Sequence, residues 1–138
     1  MIRAIVIEDE EYSRELLNNM LKEHFRNVDV LATCKTVEEG RTAIEELHPD
    51  LVFTDIELER NSAFEMLQQL DSIDFEVIFT TAYEKYAIQA IKFSALDYLL
   101  KPFSVSDLAG ALNHYQQKQN KKHSVYQFDA LFHNLKHI

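Results

Sequence analysis

Four short stretches carry residues able to do chemistry together: Glu8 and Asp9, with Glu10 beside them, in "IVIEDE"; Asp55 at the end of "LVFTD"; Thr81 in "FTTAY"; and Lys101 in "DYLLKPF". Three carboxylates at one place (Glu8, Asp9, Asp55) repel one another, so at least one should have a raised pKa. A hard divalent cation relieves that repulsion, and Mg²⁺ suits carboxylates, waters and one backbone carbonyl. Thr81 adds a hydroxyl and Lys101 an ammonium. A phosphoryl group on Asp55 would present three outward oxygens. The cation, the Thr81 hydroxyl with nearby N–H groups, and the Lys101 ammonium would each take one. Phosphoryl transfer needs in-line positioning and charge neutralisation more than covalent help. Asp55 would be the nucleophile.

Taken alone, each residue has an ordinary reading. An Asp at a strand end forms a turn or a cap, an acidic "EDE" suits a helix start, a strand-end Thr is a satisfied hydroxyl, and a Lys before Pro is exposed. What outweighs those readings is joint placement, and that depends on the elements. "IRAIVI", "VDVLATC", "LVFTD", "EVIFTT" and "DYLL" are apolar runs of strand length. Between them lie helix-periodic segments. Glu11 to Phe25 puts Leu16, Leu17, Met20, Leu21 and Phe25 on one face. Thr36 and Glu39 open the next helix as a capping box, which should stop at His48 before Pro49. Ser62 and Glu65 in "SAFE" cap a short third helix. Lys85 to Phe93 should turn Ile88 and Ile91 inward. Ser104, with Asp107 bonding back, caps a last helix with Val105, Leu108, Leu112 and Tyr115 on one side.

Five β–α units in a row predict an α/β fold. The sheet should be a doubly wound five-stranded parallel one with helices on both faces. In the flavodoxin-like order 2-1-3-4-5, the first, third, fourth and fifth strands are neighbours. Their carboxyl ends, where such sheets bind ligands, would crowd the four stretches into one pocket.

The 138 residues suit one domain, and the net charge of −9 argues against nucleic-acid contact by this segment or binding to an anionic membrane. The single cysteine, Cys34, excludes an internal disulfide and fits a reducing, cytoplasmic setting. The N-terminal apolar run is too short for a signal peptide, and no stretch is long enough to span a bilayer. "QQKQNKKH" (Gln116 to His123) reads as a helix end or linker. Val125, Phe128, Phe132 and Leu135 beyond it have the spacing of one more amphipathic helix. We therefore expect a domain over residues 1–120. Residues 121–138 would be a linker or C-terminal helix, serving as a connection to an output domain, a dimer contact, or a helix folded back. An output domain is expected to be absent from the chain.

"IVIEDE", "DLVFTDIEL", "FTTAY" and "DYLLKPF", in this order and spacing, resemble the receiver domain of bacterial two-component response regulators. The likeness covers about residues 1–120. The run "TAYEKYAIQAIKFSALDYLLKPF" is similar to receivers of the LytTR-type subfamily, whose output domain binds DNA. The resemblance implies that a sensor histidine kinase phosphorylates Asp55. Glu8, Asp9 and Asp55, with the backbone carbonyl of Glu57, would hold Mg²⁺. Thr81 would move toward the phosphoryl group and Lys101 would pair with it. Tyr98 matches an aromatic switch position; an ordinary half-buried strand tyrosine is the competing reading. The Lys101–Pro102 bond would be cis. Phosphorylation would bias the face of the fourth helix, fifth strand and fifth helix toward a homodimer. Such a protein catalyses its own phosphotransfer and dephosphorylation rather than turning over substrate.

Two positions depart from the receiver pattern: Glu59 stands where a Pro is usual and Ala63 where a Gly is usual. They touch the loop's path, not the reacting set. Tyr83 either screens the phosphoryl group from water or lies on the helix surface. The altered loop motivates the alternative of a pseudo-receiver that is not phosphorylated and serves as a protein-interaction module. A flavin carrier is disfavoured because "EDEEYS" would repel a cofactor phosphate. A haloacid-dehalogenase-type phosphatase is disfavoured because Glu57 stands where a second Asp is wanted.

Overall fold

The computed structural model describes residues 1–136, with side chains described through Lys122. In chain order the elements are β1 (Ile2–Ile7), α1 (Glu11–His24), β2 (Val28–Cys34), α2 (Val37–Leu47) and β3 (Leu51–Asp55). A two-strand hairpin, β4 (Glu57–Leu58) and β5 (Asn61–Ser62), leads into α3 (Ala63–Gln68). Then come β6 (Glu76–Thr81), α4 (Ala87–Phe93) after a 3₁₀ turn at Glu84–Tyr86, β7 (Asp97–Leu100) and α5 (Val105–Lys136). The main sheet runs β2-β1-β3-β6-β7 with every pair parallel. That is the predicted flavodoxin-like order once the small hairpin is counted in the strand numbers.

The central strands β1, β3 and β6 are buried along nearly their whole length because both faces are covered, whereas the edge strands β2 and β7 are only partly buried. Alternate residues point to opposite sides. Ile5, Ile7, Val52, Val77 and Phe79 join a core with α2, α3 and α4. Ala4, Val6, Leu51, Phe53 and Ile78 join a second core with α1 and α5. Gly40 lets α2 lie close on β1, since a Cβ there would sit 2.6 Å from Ile7 Cδ1.

The predicted caps form. Thr36 Oγ1 accepts from Glu39 N at 3.1 Å, while Glu39 Oε2 accepts from Lys35 N, one residue earlier than a capping box has it. Ser62 Oγ accepts from Glu65 N at 3.2 Å. Ser104 and Asp107 bond reciprocally, at 3.1 and 2.9 Å. α2 stops before Pro49 with His48 left-handed (φ 47°). Arg3 donates to the freed carbonyls of Leu47 and His48, both at 2.7 Å, which satisfies a helix end that would otherwise lack partners.

Three sequence expectations are corrected. Ile88 and Ile91 do not face inward; they are 69% and 76% exposed. α4 docks instead through the small Ala90, flanked one turn away on each side by Tyr86 and Phe93. The Phe93 ring meets Phe79 and Phe64 at 5.6 and 6.2 Å, so the aromatic stripe takes the buried face. Leu16 is exposed, because α1 packs through Leu17 and Leu21. Finally, the helix does not end within Gln116 to His123. α5 continues as one helix through a run of good helix formers, and Lys118 and Lys122 reach the nearly buried Glu76 at 2.9 and 3.4 Å. The side chains of Val125, Phe128, Phe132 and Leu135 lie outside the described residues.

Candidate functional site

Adjacency of β1, β3, β6 and β7 brings their carboxyl ends to one edge. Ile7 lies opposite Thr54 and Asp55 opposite Thr80, so the residues that follow β1 meet the last residue of β3. Glu8 and Asp55 are buried, at 3% and 9% exposure, and Asp9 is half-buried. One carboxylate oxygen from each lies within 4.8 Å of the others.

Lys101 enters this cluster from the end of β7. Its amide donates to the Thr81 carbonyl at 2.7 Å, which fixes the backbone from which the side chain reaches in. The ammonium donates to Glu8 Oε1 and, at 2.8 Å, to Asp55 Oδ2. The Lys101–Pro102 bond is cis, as the resemblance implied. Burial works against the charge of Lys101, yet the bonds to Asp55 and Glu8 leave its pKa above the ordinary value. Glu8 is the carboxyl with the raised pKa expected of such a cluster, pushed up to about 7. The main cause is burial rather than repulsion: the Lys101 bond pulls the value down, and the Asp55 charge adds to the rise.

Backbone donors hold the other oxygens. Glu57 N donates to Asp55 Oδ1 at 3.2 Å, Glu59 N to Asp9 Oδ2 at 2.9 Å, and Glu10 N to Glu8 Oε2 at 3.3 Å. Arg14, from the first turns of α1, donates to the carbonyls of Glu8 and Asp9 at 3.1 and 3.4 Å. Arg14 escaped the sequence reading. Its one legible signal is a cation spaced to fold back from a helix onto the preceding strand end.

Of the predicted residues, Glu8 and Asp55 are joined through Lys101, and Asp9 lies beside them without a bond to the three. Thr81 is fully buried at the end of the neighbouring strand, and its Oγ1 accepts from Tyr83 N at 3.2 Å. Among the described residues no hydrogen bond joins it to Asp55. The Glu57 side chain is exposed and turns to Tyr86. Tyr98 is half-buried on β7, packs against the α4-side core, and donates its hydroxyl to the Tyr83 carbonyl. Tyr83 itself is 48% exposed. Ala63 starts α3 with no positive φ; the left-handed residue of this loop is Glu59 (φ 30°).

The donors are all carboxylate oxygens, close together and balanced by one ammonium. That set fits a hard divalent cation and suits poorly a soft metal, which prefers sulfur. Among the described residues no helix is long and apolar enough to cross a membrane.

Comparison with known proteins agrees with this edge. Residues 4–113 match the response regulator receiver domain family. An uncharacterized response regulatory protein of Vibrio cholerae is 38% identical over 122 residues, covering 88% of this chain and 51% of that protein. The transcriptional regulatory protein BtsR of Escherichia coli K12 is 35% identical over 88% of this chain and 51% of its own length. The sensory transduction protein LytT of Bacillus cereus is 34% identical over 91% and 53%. The chain thus spans about half the length of the curated relatives it matches. Among solved structures, a response regulator receiver domain protein from Clostridium thermocellum is 28% identical with a TM-score of 0.74, covering 86% of this chain and 98% of that one. The response regulatory domain of MrkE from Klebsiella pneumoniae shares the fold at 20% identity, with a TM-score of 0.77 over 87% of this chain and 99% of that one. The family match, the strand order and the bonded Glu8–Lys101–Asp55 cluster lead to one conclusion: the chain belongs to the receiver domain family of two-component response regulators.

Proposed function

We propose that the chain is an active phospho-acceptor switch in which a sensor histidine kinase phosphorylates Asp55 in a Mg²⁺-dependent reaction. The observation that carries this reading is the assembly of Asp55 with Glu8, Asp9 and Lys101 at one strand edge. An Asp55 oxygen bonds to phosphorus, and the bond from phosphorus to the donor breaks, its electron pair leaving with the donor. Lys101, which now bridges Glu8 and Asp55, has its ammonium where a phosphoryl oxygen can share it. Thr81 would give up the Tyr83 amide to meet a second oxygen, and Tyr98 would move with it. Glu8, Asp9, Asp55 and the Glu57 carbonyl would hold Mg²⁺, which when bound supplies charge neutralisation for the phosphoryl oxygens.

Output would pass through the α4–β7–α5 face. Ile88, Ile91 and Leu100 there are 69%, 76% and 38% exposed, an apolar patch fit to meet a second copy. The likeness to BtsR and LytT supports a transcriptional output of LytTR type. We place this activity in the cytoplasm, with no nucleic-acid contact by the segment itself and residues 121–138 serving as the connection beyond the domain. The test is incubation with Mg²⁺ and acetyl phosphate, followed by intact-mass analysis. One phosphate on the wild type, none without Mg²⁺ and none on Asp55→Asn is the expected result. An unlabelled wild type, beside another receiver that labels, refutes it in favour of a pseudo-receiver.

A further inference from the structure

The two loops flanking the acidic cluster are tied together by side chains that no step above uses. After β3, Glu57 Oε1 accepts a hydrogen bond from the Tyr86 hydroxyl, and the Lys85 ammonium stands 3.9 Å from the same oxygen. Lys85 also lies over the rings of Tyr83 and Tyr86, 5.0 and 5.2 Å from their centroids, and the two rings meet edge to face at 6.4 Å. The base of this loop is anchored to the site, with Tyr83 N on Thr81 Oγ1 and the Tyr98 hydroxyl on the Tyr83 carbonyl. The Tyr86 phenol is pushed up to about 12 by the Glu57 bond first and burial second. The charges of Glu57, Tyr83 and Asp55 contribute less.

The arrangement has a charge logic. Glu57 is a fourth carboxylate within two residues of Asp55, and left free it would repel an arriving phosphoryl group. Tyr86 and Lys85 hold it away from that role and use it as an anchor. The resulting bridge joins the start of β4 to the β6–α4 connection, across the adjacent strands that carry Asp55 and Thr81. Tyr83 and Lys85 are exposed and Tyr86 half-buried, so the bridge is weak enough to open.

We propose that the Tyr86–Glu57 bridge, braced by Lys85, is a latch over the Asp55 site that limits the access of both phosphodonor and water, with Tyr86 as its positioning residue. This rests on the phospho-acceptor reading above. In hydrolysis a water oxygen bonds to phosphorus, and the bond between phosphorus and the Asp55 oxygen breaks. Its electron pair returns to the carboxylate, the water proton passes to solvent, and inorganic phosphate leaves. Because the latch governs access rather than either bond, opening it speeds loading and hydrolysis together.

The test compares wild type, Tyr86→Phe, Glu57→Ala and the double variant in the full chain. Loading by acetyl phosphate with Mg²⁺, and phosphate loss after donor removal, are followed by intact mass. Hydrogen exchange of the peptide over residues 82–87 is measured on the unphosphorylated proteins. Tyr86→Phe is expected to raise both rates by about three- to tenfold, the effect of losing one exposed hydrogen bond to a charged group. Exchange should quicken, and the double variant should be no faster than Glu57→Ala, because both changes break one bond. Melting temperature should fall by no more than a few degrees, as expected for one lost bond and not for a disrupted fold. Rates equal to wild type in a chain that does label overturn the latch alone, as do additive effects or a change in only one of the two rates. A wild type that takes no phosphate overturns the functional reading and the latch with it.

Discussion

Replacing Glu8 by Gln should reverse an unusual cost that this site places on the fold. Glu8 is 3% exposed, and its carboxyl is pushed from 4.5 to about 7, mainly by burial. A carboxyl whose pKa is higher in the folded state keeps a proton that the unfolded chain has already released. Its contribution to stability is therefore fully present below about 4.5 and is lost as pH rises through about 7. At about 1.4 kcal/mol per pH unit, the gap amounts to about 3 kcal/mol. Gln keeps the shape and does not titrate, and Lys101 retains its 2.8 Å bond to Asp55. The stability of Glu8→Gln relative to wild type should thus rise by about 3 kcal/mol between about pH 4.5 and pH 8. Urea unfolding with a chelator present, at several pH values and with unchanged m-values, measures it. Taking the difference cancels the titration of carboxylates remote from Glu8. A pH-independent offset between the two proteins would refute the reasoning. In the wild type, Mg²⁺ should restore the stability lost above about pH 7, because a cation held by deprotonated carboxylates binds the folded chain alone.

Glu on the exposed α4 face, in the pair Ile88→Glu and Ile91→Glu, should abolish the self-association proposed to follow phosphorylation while shifting stability by no more than about 0.5 kcal/mol; sedimentation of phosphorylated protein by analytical ultracentrifugation, with thermal melting, checks it. Glu59→Pro should weaken Mg²⁺ binding several-fold and destabilise the loop by about 1–3 kcal/mol, read by Mg²⁺ titration and urea unfolding, whereas Glu59→Gly should bind as wild type does.

The sheet was legible in the sequence because burial on both faces leaves nearly continuous apolar runs in β1, β3 and β6, and the half-buried edge strands β2 and β7 keep enough apolar residues to be placed beside them. The site followed from the sheet, since parallel order places strand ends together whatever lies between them. Helix faces were less legible. In α4 the residues one turn apart from Ala90 are Tyr86 and Phe93, but a hydrophobic scan favours the two isoleucines, and only packing against Phe79 and Phe64 decides between the stripes. The extent of α5 was hidden by the polar run at Gln116 to His123, whose Lys118 and Lys122 turn out to reach Glu76, far away in sequence. The bond from Tyr86 to Glu57 has no local signature at all, because it joins two loops through side-chain ends.

The loop after Asp55 shows why a departure from a family pattern can preserve a site. At Glu59 the chain turns back between β4 and β5 with φ 30°, and its amide donates to Asp9 Oδ2 at 2.9 Å. Proline offers neither feature, since its ring fixes φ near about −65° and it has no N–H. A loop of this shape therefore excludes the usual residue, and in exchange gains a donor for one of the three clustered carboxylates. The same turn relieves position 63 of any need for glycine. Ala63 begins α3 fully buried without a positive φ, and its amide donates to the Ile56 carbonyl at 2.8 Å. The unusual backbone angle sits four residues earlier, at Glu59, where the side chain is exposed and the strain of a left-handed residue is not compounded by packing. The two departures thus fall in one turn of the chain, and beside it the Glu8–Lys101–Asp55 bonds are in place with Asp9 held by the Glu59 amide.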